Sequence, residues 1–253
     1  MKTVTVKNVT IGTGAPKICV PLVGVSKETL LTEVVNLQEL DFDLIEWRVD
    51  FFDGVIDVEA VKEMATTLRE KLVDTPILFT FRSKKEGGEC EFAQADYFAL
   101  IHSMIPTGLV DLVDVELFMS EANVKETVSL AQAHGVKVVM CNHDFDKTPE
   151  KDEIVRRLCM MQDFGADVCK IALMPQSAGD VLTVLSATNE MYTKYADRPI
   201  VTMSMGGVGM ISRLSGEIFG SAMTFGAATK ASAPGQVPVG KLRDVLNLLH
   251  KSL

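Results

Sequence analysis

Eight short apolar runs, each followed by an amphipathic stretch, recur about every 29 residues along this chain, the rhythm a (β/α)8 barrel requires. The runs are 18–24, 43–52, 76–83, 109–118, 137–145, 167–174, 199–206 and 221–227. The stretches between them carry helical periodicity. Val58, Val61, Met64, Leu68 and Leu72 recur three or four apart, which lines one helix face. The segment 148–165 reads as a helix with Thr148 as N-cap, Pro149 in the first turn and Gly165 just past the end. Asn123 with Glu126 is expected to cap the helix that ends before Gly135. Before the first run, Val4, Val6, Val9 and Ile11 alternate around Lys7-Asn8, predicting a β-hairpin that Gly12 and Gly14 close. The competing architecture is a doubly wound open sheet. It calls for fewer strands and a glycine-rich first turn, and Val23-Gly24-Val25-Ser26 contains no GxGxxG. The expected fold is therefore α/β, a (β/α)8 TIM barrel with an N-terminal β-hairpin. No linker or low-complexity tract divides it, so residues 1–253 are expected to form a single domain.

Composition excludes several function classes. The 25 basic and 34 acidic side chains leave a net charge of −9, which argues against general affinity for nucleic acid or an anionic membrane surface. No apolar run approaches the ~18 residues of a membrane span. The opening residues lack the apolar core of a secretory signal. Five scattered cysteines without a CxxC are most simply reduced thiols, so the expected location is cytoplasmic.

The strands carry charges that a plain core would not tolerate. In Leu44-Ile45-Glu46-Trp47-Arg48-Val49-Asp50 the charged residues fall two apart and share a face, while Ile45, Trp47 and Val49 must meet the helices. The same parity groups Arg82 with Thr80, Asp114 with Glu116, His143 with Cys141, and Lys170 with Val168 and Ala172. Unpaired buried ions cost several kcal/mol, so these residues either pair with one another or serve a site at the barrel mouth. Two readings of Lys170 stay open. Its tip reaches a carboxylate, or desolvation and the nearby cations Arg48, Arg82 and Arg213 lower its pKa and make it a nucleophile toward a carbonyl. His143 alone among four histidines falls at a strand end, where proton transfer suits its near-neutral pKa; the bland alternative is a structural histidine. No HxH or HExxH spacing points to a metal. The stretch 84–89, with Glu86 and Gly87-Gly88, reads as a solvated loop. Met203 to Gly207 with Arg213 could receive an anion. Residues 231–236 could form a lid.

Glu46-Trp47-Arg48-Val49-Asp50, Phe79-Thr80-Phe81-Arg82-Ser83 with Glu86-Gly87-Gly88, Asn142-His143-Asp144-Phe145, Lys170-Ile171-Ala172, Ile211-Ser212-Arg213 and Ala231-Ser232-Ala233-Pro234-Gly235-Gln236 follow one another in a specific order. In these motifs the chain resembles the type I 3-dehydroquinate dehydratases over essentially its whole length. The resemblance implies a homodimeric hydro-lyase acting on a small-molecule substrate, 3-dehydroquinate, at the third step of the shikimate pathway, with no cofactor and no metal. It also implies residue roles: Lys170 forms the Schiff base, His143 transfers protons and Glu86 assists it. Glu46, Trp47, Arg48, Arg82, Met205, Arg213, Ser232 and Gln236 match substrate-binding positions. Pro21 departs from members that carry serine there, so one minor hydroxyl contact is lost. Two other readings stand beside this one: class I aldol chemistry on the same lysine, and a non-catalytic barrel that binds a related metabolite.

Overall fold

The computed structural model describes residues 3–228 and 233–253. The elements run β1 (Val4–Val6), β2 (Val9–Ile11), β3 (Lys17–Leu22), α1 (Lys27–Leu37), β4 (Leu44–Arg48), α2 (Val58–Lys71), β5 (Ile77–Thr80), α3 (Gln94–Met104), β6 (Leu112–Glu116), α4 (Glu121–Ala133), β7 (Lys137–Asp144), α5 (Lys151–Asp163), β8 (Val168–Leu173), α6 (Ala178–Glu190), β9 (Ile200–Ser204), α7 (Met210–Leu214), α8 (Gly216–Phe219), β10 (Met223–Ala227), β11 (Val237–Pro238) and α9 (Val239–His250). Strands β3 to β9 pair in sequence, all parallel, and β10 pairs with β3. Closure between β9 and β10 rests on one bridge, Ile200 to Ser221, with Ala222 N donating to Ile200 O at 2.8 Å. The Ser221 hydroxyl also accepts from Thr202 N at 3.0 Å, supplying a bond that a longer strand would have made.

Strand alternation sorts the side chains into two packed regions. Ile45, Trp47, Phe79, Val113, Val115, Ile171 and Leu173 face outward into the helix layer. Leu44, Leu78, Leu112, Val139, Val168 and Val201 face inward at the lower end, where Val4, Val6, Val9 and Ile11 of the antiparallel β1–β2 hairpin join them. An isolated hairpin is marginal in water, so this one is held by burial of those side chains. Full burial of one such group contributes at most about 1.5–3 kcal/mol. With the lower mouth plugged by hydrocarbon, the polar inward positions lie at the strand ends opposite.

Two capping expectations differ from the structure. Helix α5 begins at Lys151, because the Thr148 hydroxyl donates to Met174 O at 3.0 Å and ties the β7–α5 loop to the end of β8. Helix α4 begins at Glu121, because Ser120 O already accepts Val124 N at 2.9 Å, which places Asn123 inside the helix. The expected stop at Gly165 holds, with φ of 88°.

Candidate active site

The inward faces of β4, β5, β6, β7 and β8 converge on Lys170. Its Nζ lies 3.5 Å from Glu46 Oε1 and 3.6 Å from Asp114 Oδ2, and 4.3 Å from the centre of the Phe225 ring. Thr80 Oγ1 donates to the same Glu46 oxygen at 3.0 Å. The cations expected to crowd the amine are engaged elsewhere. Arg48 makes a two-pronged pair with Asp50, both bonds 2.8 Å. Arg82 donates to Asp114 Oδ1 at 2.8 Å and to Glu116 Oε1 at 3.1 Å.

Of the two readings of Lys170, the arrangement matches the one in which its tip reaches carboxylates, not the one with a lowered pKa. Burial disfavours the ammonium, but the Glu46 and Asp114 carboxylates outweigh both burial and the opposing charge of Arg82, so the pKa is raised. The resting amine is an ammonium held between carboxylates. Use of this amine as a nucleophile would require that a proton leave it first.

The run 84–89 is not a merely solvated loop. A 3-10 turn over Lys84–Glu86, in which Ser83 Oγ accepts from Glu86 N at 3.3 Å, folds the Glu86 carboxylate inward until it is 5% exposed. Gly87 turns the chain at φ 87°, and Gly88 passes so near Arg82 O that a Cβ there would clash with backbone. Glu86 Oε2 then lies 3.0 Å from His143 Nδ1 and accepts the His143 backbone N–H at 2.9 Å. Burial, then Arg82, Lys170 and Arg48, hold the imidazole well below its ordinary pKa. Burial and then Glu116 push Glu86 up to about 8, against Arg82 and the hydrogen bonds from Asn142 and His143. Both shifts oppose a resting carboxylate–imidazolium pair, so the imidazole rests neutral and ready to take a proton.

Lys170 and His143 open on one cavity, lined also by Glu46, Arg48, Arg82, Glu86, Met205, Arg213 and Gln236. Arg213 is 2% exposed and meets no carboxylate among the described residues. It donates to Pro234 O at 3.1 Å, contacts Met203 Sδ at 3.4 Å, and leaves its Nε unbonded. Burial alone pulls its pKa down to about 10. A buried guanidinium with spare donors is suited to an incoming carboxylate.

Glu86, Cys141 and His143 bring three possible metal ligands within 4.8 Å of one another. Arg82 Nη1 sits 2.8 Å from Cys141 Sγ and 3.7 Å from Glu86, so the donors already face a cation. The Cys141 thiol is also driven up by burial, away from the thiolate a metal would want.

The chain matches the family model for type I 3-dehydroquinase over residues 18–253. It belongs to the type I 3-dehydroquinase family. A 3-dehydroquinate dehydratase of Listeria monocytogenes is 59% identical over 251 residues, covering 99% of each chain. One from Escherichia coli is 58% identical over 252 residues, covering 100% of each. A crystal structure of the type I 3-dehydroquinate dehydratase of Clostridium difficile with covalently modified comenic acid has a TM-score of 0.97 and 56% identity, covering 100% of this chain and 99% of that one.

Against the family pattern, two of the matched positions stand apart. Trp47 does not reach the cavity; its indole is buried in the helix layer, edge-on to Phe52 and Phe79, because odd positions of β4 face outward. Ser232 lies outside the described residues. Pro21 on β3 pairs with Glu46 on β4 and brings no hydroxyl there. The cavity also gains Phe225, which the sequence did not single out, and Phe145, Met203 and Ala233, which lay in the noted stretches without being given a site role. Parity could have found two of them, since Phe145 is two beyond His143 and Met203 two before Met205.

Proposed function

We propose that this family member dehydrates 3-dehydroquinate to 3-dehydroshikimate, the third step of the shikimate pathway, through an imine on Lys170. The observation that carries the reading is that an amine buried among carboxylates and a neutral imidazole backed by a carboxyl line the same cavity. The substrate's carboxylate is bound by Arg213, with Ser232 and Gln236 adding neutral hydrogen bonds; Glu46, Arg48 and Arg82 hold its ring hydroxyls. Trp47 acts only by fixing β4.

The steps follow from the charges. Lys170 gives up a proton to the surrounding acid–base groups, and its free amine adds to the ketone carbon. Loss of water from that adduct leaves a protonated imine. His143 removes a proton from the adjacent carbon, and the C–H electron pair moves into the enamine. The enamine then expels the β-hydroxyl, which takes the proton back from His143 and leaves as water. One base serving both transfers makes the elimination syn. A second water hydrolyses the conjugated imine, releasing the enone and restoring Lys170. One water is lost overall, and no cofactor enters the balance.

A homodimer and a cytoplasmic location complete the proposal, with the chain folding as one domain. Exposed Leu182, Ile211 and Ile218 on the neighbouring helices α6, α7 and α8 support a self-association surface. Five unpaired cysteines support a reducing compartment. Borohydride reduction in the presence of 3-dehydroquinate should place a mass adduct on Lys170, and Lys170→Ala should abolish it. An adduct on a different lysine, or turnover without formation of an enone absorbance, would overturn the assignment.

A further inference from the structure

We infer that Arg157 on helix α5 is a positioning residue for the Glu86–His143 pair, acting through the Asn142 side-chain amide. The inference rests on the proposed dehydration and adds to it a residue outside the substrate cavity. Asn142 lies on β7 between two catalytic-side neighbours, but its side chain points away from Lys170 into the strand–helix layer. There it is 4% exposed. Its Nδ2 donates to Glu86 Oε1 at 3.1 Å, and its Oδ1 accepts from Arg157 Nη1 at 2.9 Å. Arg157 is itself anchored: its Nε donates to Glu153 Oε1 at 2.8 Å, its Nη1 comes within 4.0 Å of Asp144, and its guanidinium lies over the Phe118 ring at 5.4 Å.

Donor polarity sets how the Asn142 amide is turned. A carboxamide has one accepting end and one donating end, and the two are nearly the same shape. An arginine has donors and no acceptor. Arg157 therefore fixes the amide with its oxygen toward the helix and its NH2 toward Glu86. Oε1 of Glu86 is thus kept an acceptor, and the other oxygen, Oε2, is left to His143. Without Arg157 the amide is free to turn over and set its oxygen against Glu86 Oε1. A carboxylate facing that oxygen is disfavoured relative to the protonated acid, and the imidazolium formed during dehydration loses its counterion.

The charged groups around the pair are Arg48 from β4, Arg82 after β5, Glu116 from β6, Lys170 from β8, Arg157 with its partner Glu153 from α5, and Lys85, Asp144 and Asp146, which share the outer cleft with the pair. Arg48, Arg82, Glu116 and Lys170 act on the pair from the barrel side. Asn142 and Arg157 line a separate cleft on the helix side, to which Glu86 and His143 also contribute.

The test compares Arg157→Met and Arg157→Lys. Lysine is also a donor without an acceptor, so it preserves the amide's orientation; methionine does not. We expect R157M to lower kcat about tenfold or more, the scale of a hydrogen bond to a charged group. Its acid limb of kcat against pH should move to higher pH, because the ionised form of Glu86 has been disfavoured. R157K should lie nearer the parent in both measures. Borohydride trapping on Lys170 should be retained in both variants, since imine formation does not use the amide. Asn142→Leu, which removes the link altogether, should reproduce the R157M pH shift. A parental kcat and pH profile in R157M would overturn the inference, as would equal losses in R157M and R157K. Failure of the dehydration reading itself is distinguishable, because the parent would then form no enone.

Discussion

Arg213→Met separates stability from binding at one position. The guanidinium is almost fully buried and no anion faces it among the described residues, so its charge is a liability in the resting fold. A pKa drawn from 12.5 to about 10 by burial corresponds to about 3 kcal/mol, at about 1.4 kcal/mol per tenfold. At neutral pH the group is charged in both the folded and unfolded chain, so the whole penalty applies; it fades only as pH rises past about 10, where the folded state sheds the proton. Methionine fills much of the same volume without charge. It gives up the bond to Pro234 O, about 1 kcal/mol. The expected balance is a gain of about 1–2 kcal/mol, or about 2–8 °C in Tm for a chain of this size. Binding should move the opposite way. Two charge-assisted hydrogen bonds to a substrate carboxylate are together worth about 3 kcal/mol or more, so kcat/KM should fall about 10²-fold or more. Chemical denaturation and steady-state kinetics on parent and variant measure both quantities. A ligand should also raise the Tm of the parent and not of the variant; 3-dehydroshikimate is the probe. A variant that loses 2 kcal/mol or more of stability while keeping its kcat/KM would refute the reasoning, for Arg213 would then be a structural cation with partners of its own.

Two further outcomes are expected. His143→Ala should still give a borohydride-trapped imine but dehydrate at least ~10²-fold more slowly; unchanged turnover in the variant would remove His143 from the chemistry. Gly88→Ala should lower both Tm and kcat, because a Cβ there meets the Arg82 carbonyl and the turn that carries Glu86 must shift; a variant with parental melting and turnover would show that Glu86 does not depend on that turn.

Much of the site was legible because strand parity is strict. Glu46, Arg48, Lys170 and Cys141 face where a period of two puts them, and so does Trp47, whose place in the helix layer that parity had indicated against the family match. The caps were less legible. Thr148 looked like an N-cap, yet its hydroxyl serves a carbonyl 26 residues away, a partner no local pattern reveals. The loop carrying Glu86 read as solvated because Lys84, Lys85 and Glu89 around it are polar, and only the turn geometry buries the one carboxylate among them.

The sequence alone determined the barrel and the set of polar side chains that enter it, since apolar periodicity and alternation are local properties of the chain. It could not determine their ionisation. Whether Lys170 is an amine or an ammonium depends on distances to Glu46 and Asp114, which lie 124 and 56 positions earlier in the chain, and on Arg82 being neutralised by Asp114 and Glu116. Electrostatic energy varies with separation in space and with burial, and both quantities exist only once the strands have closed.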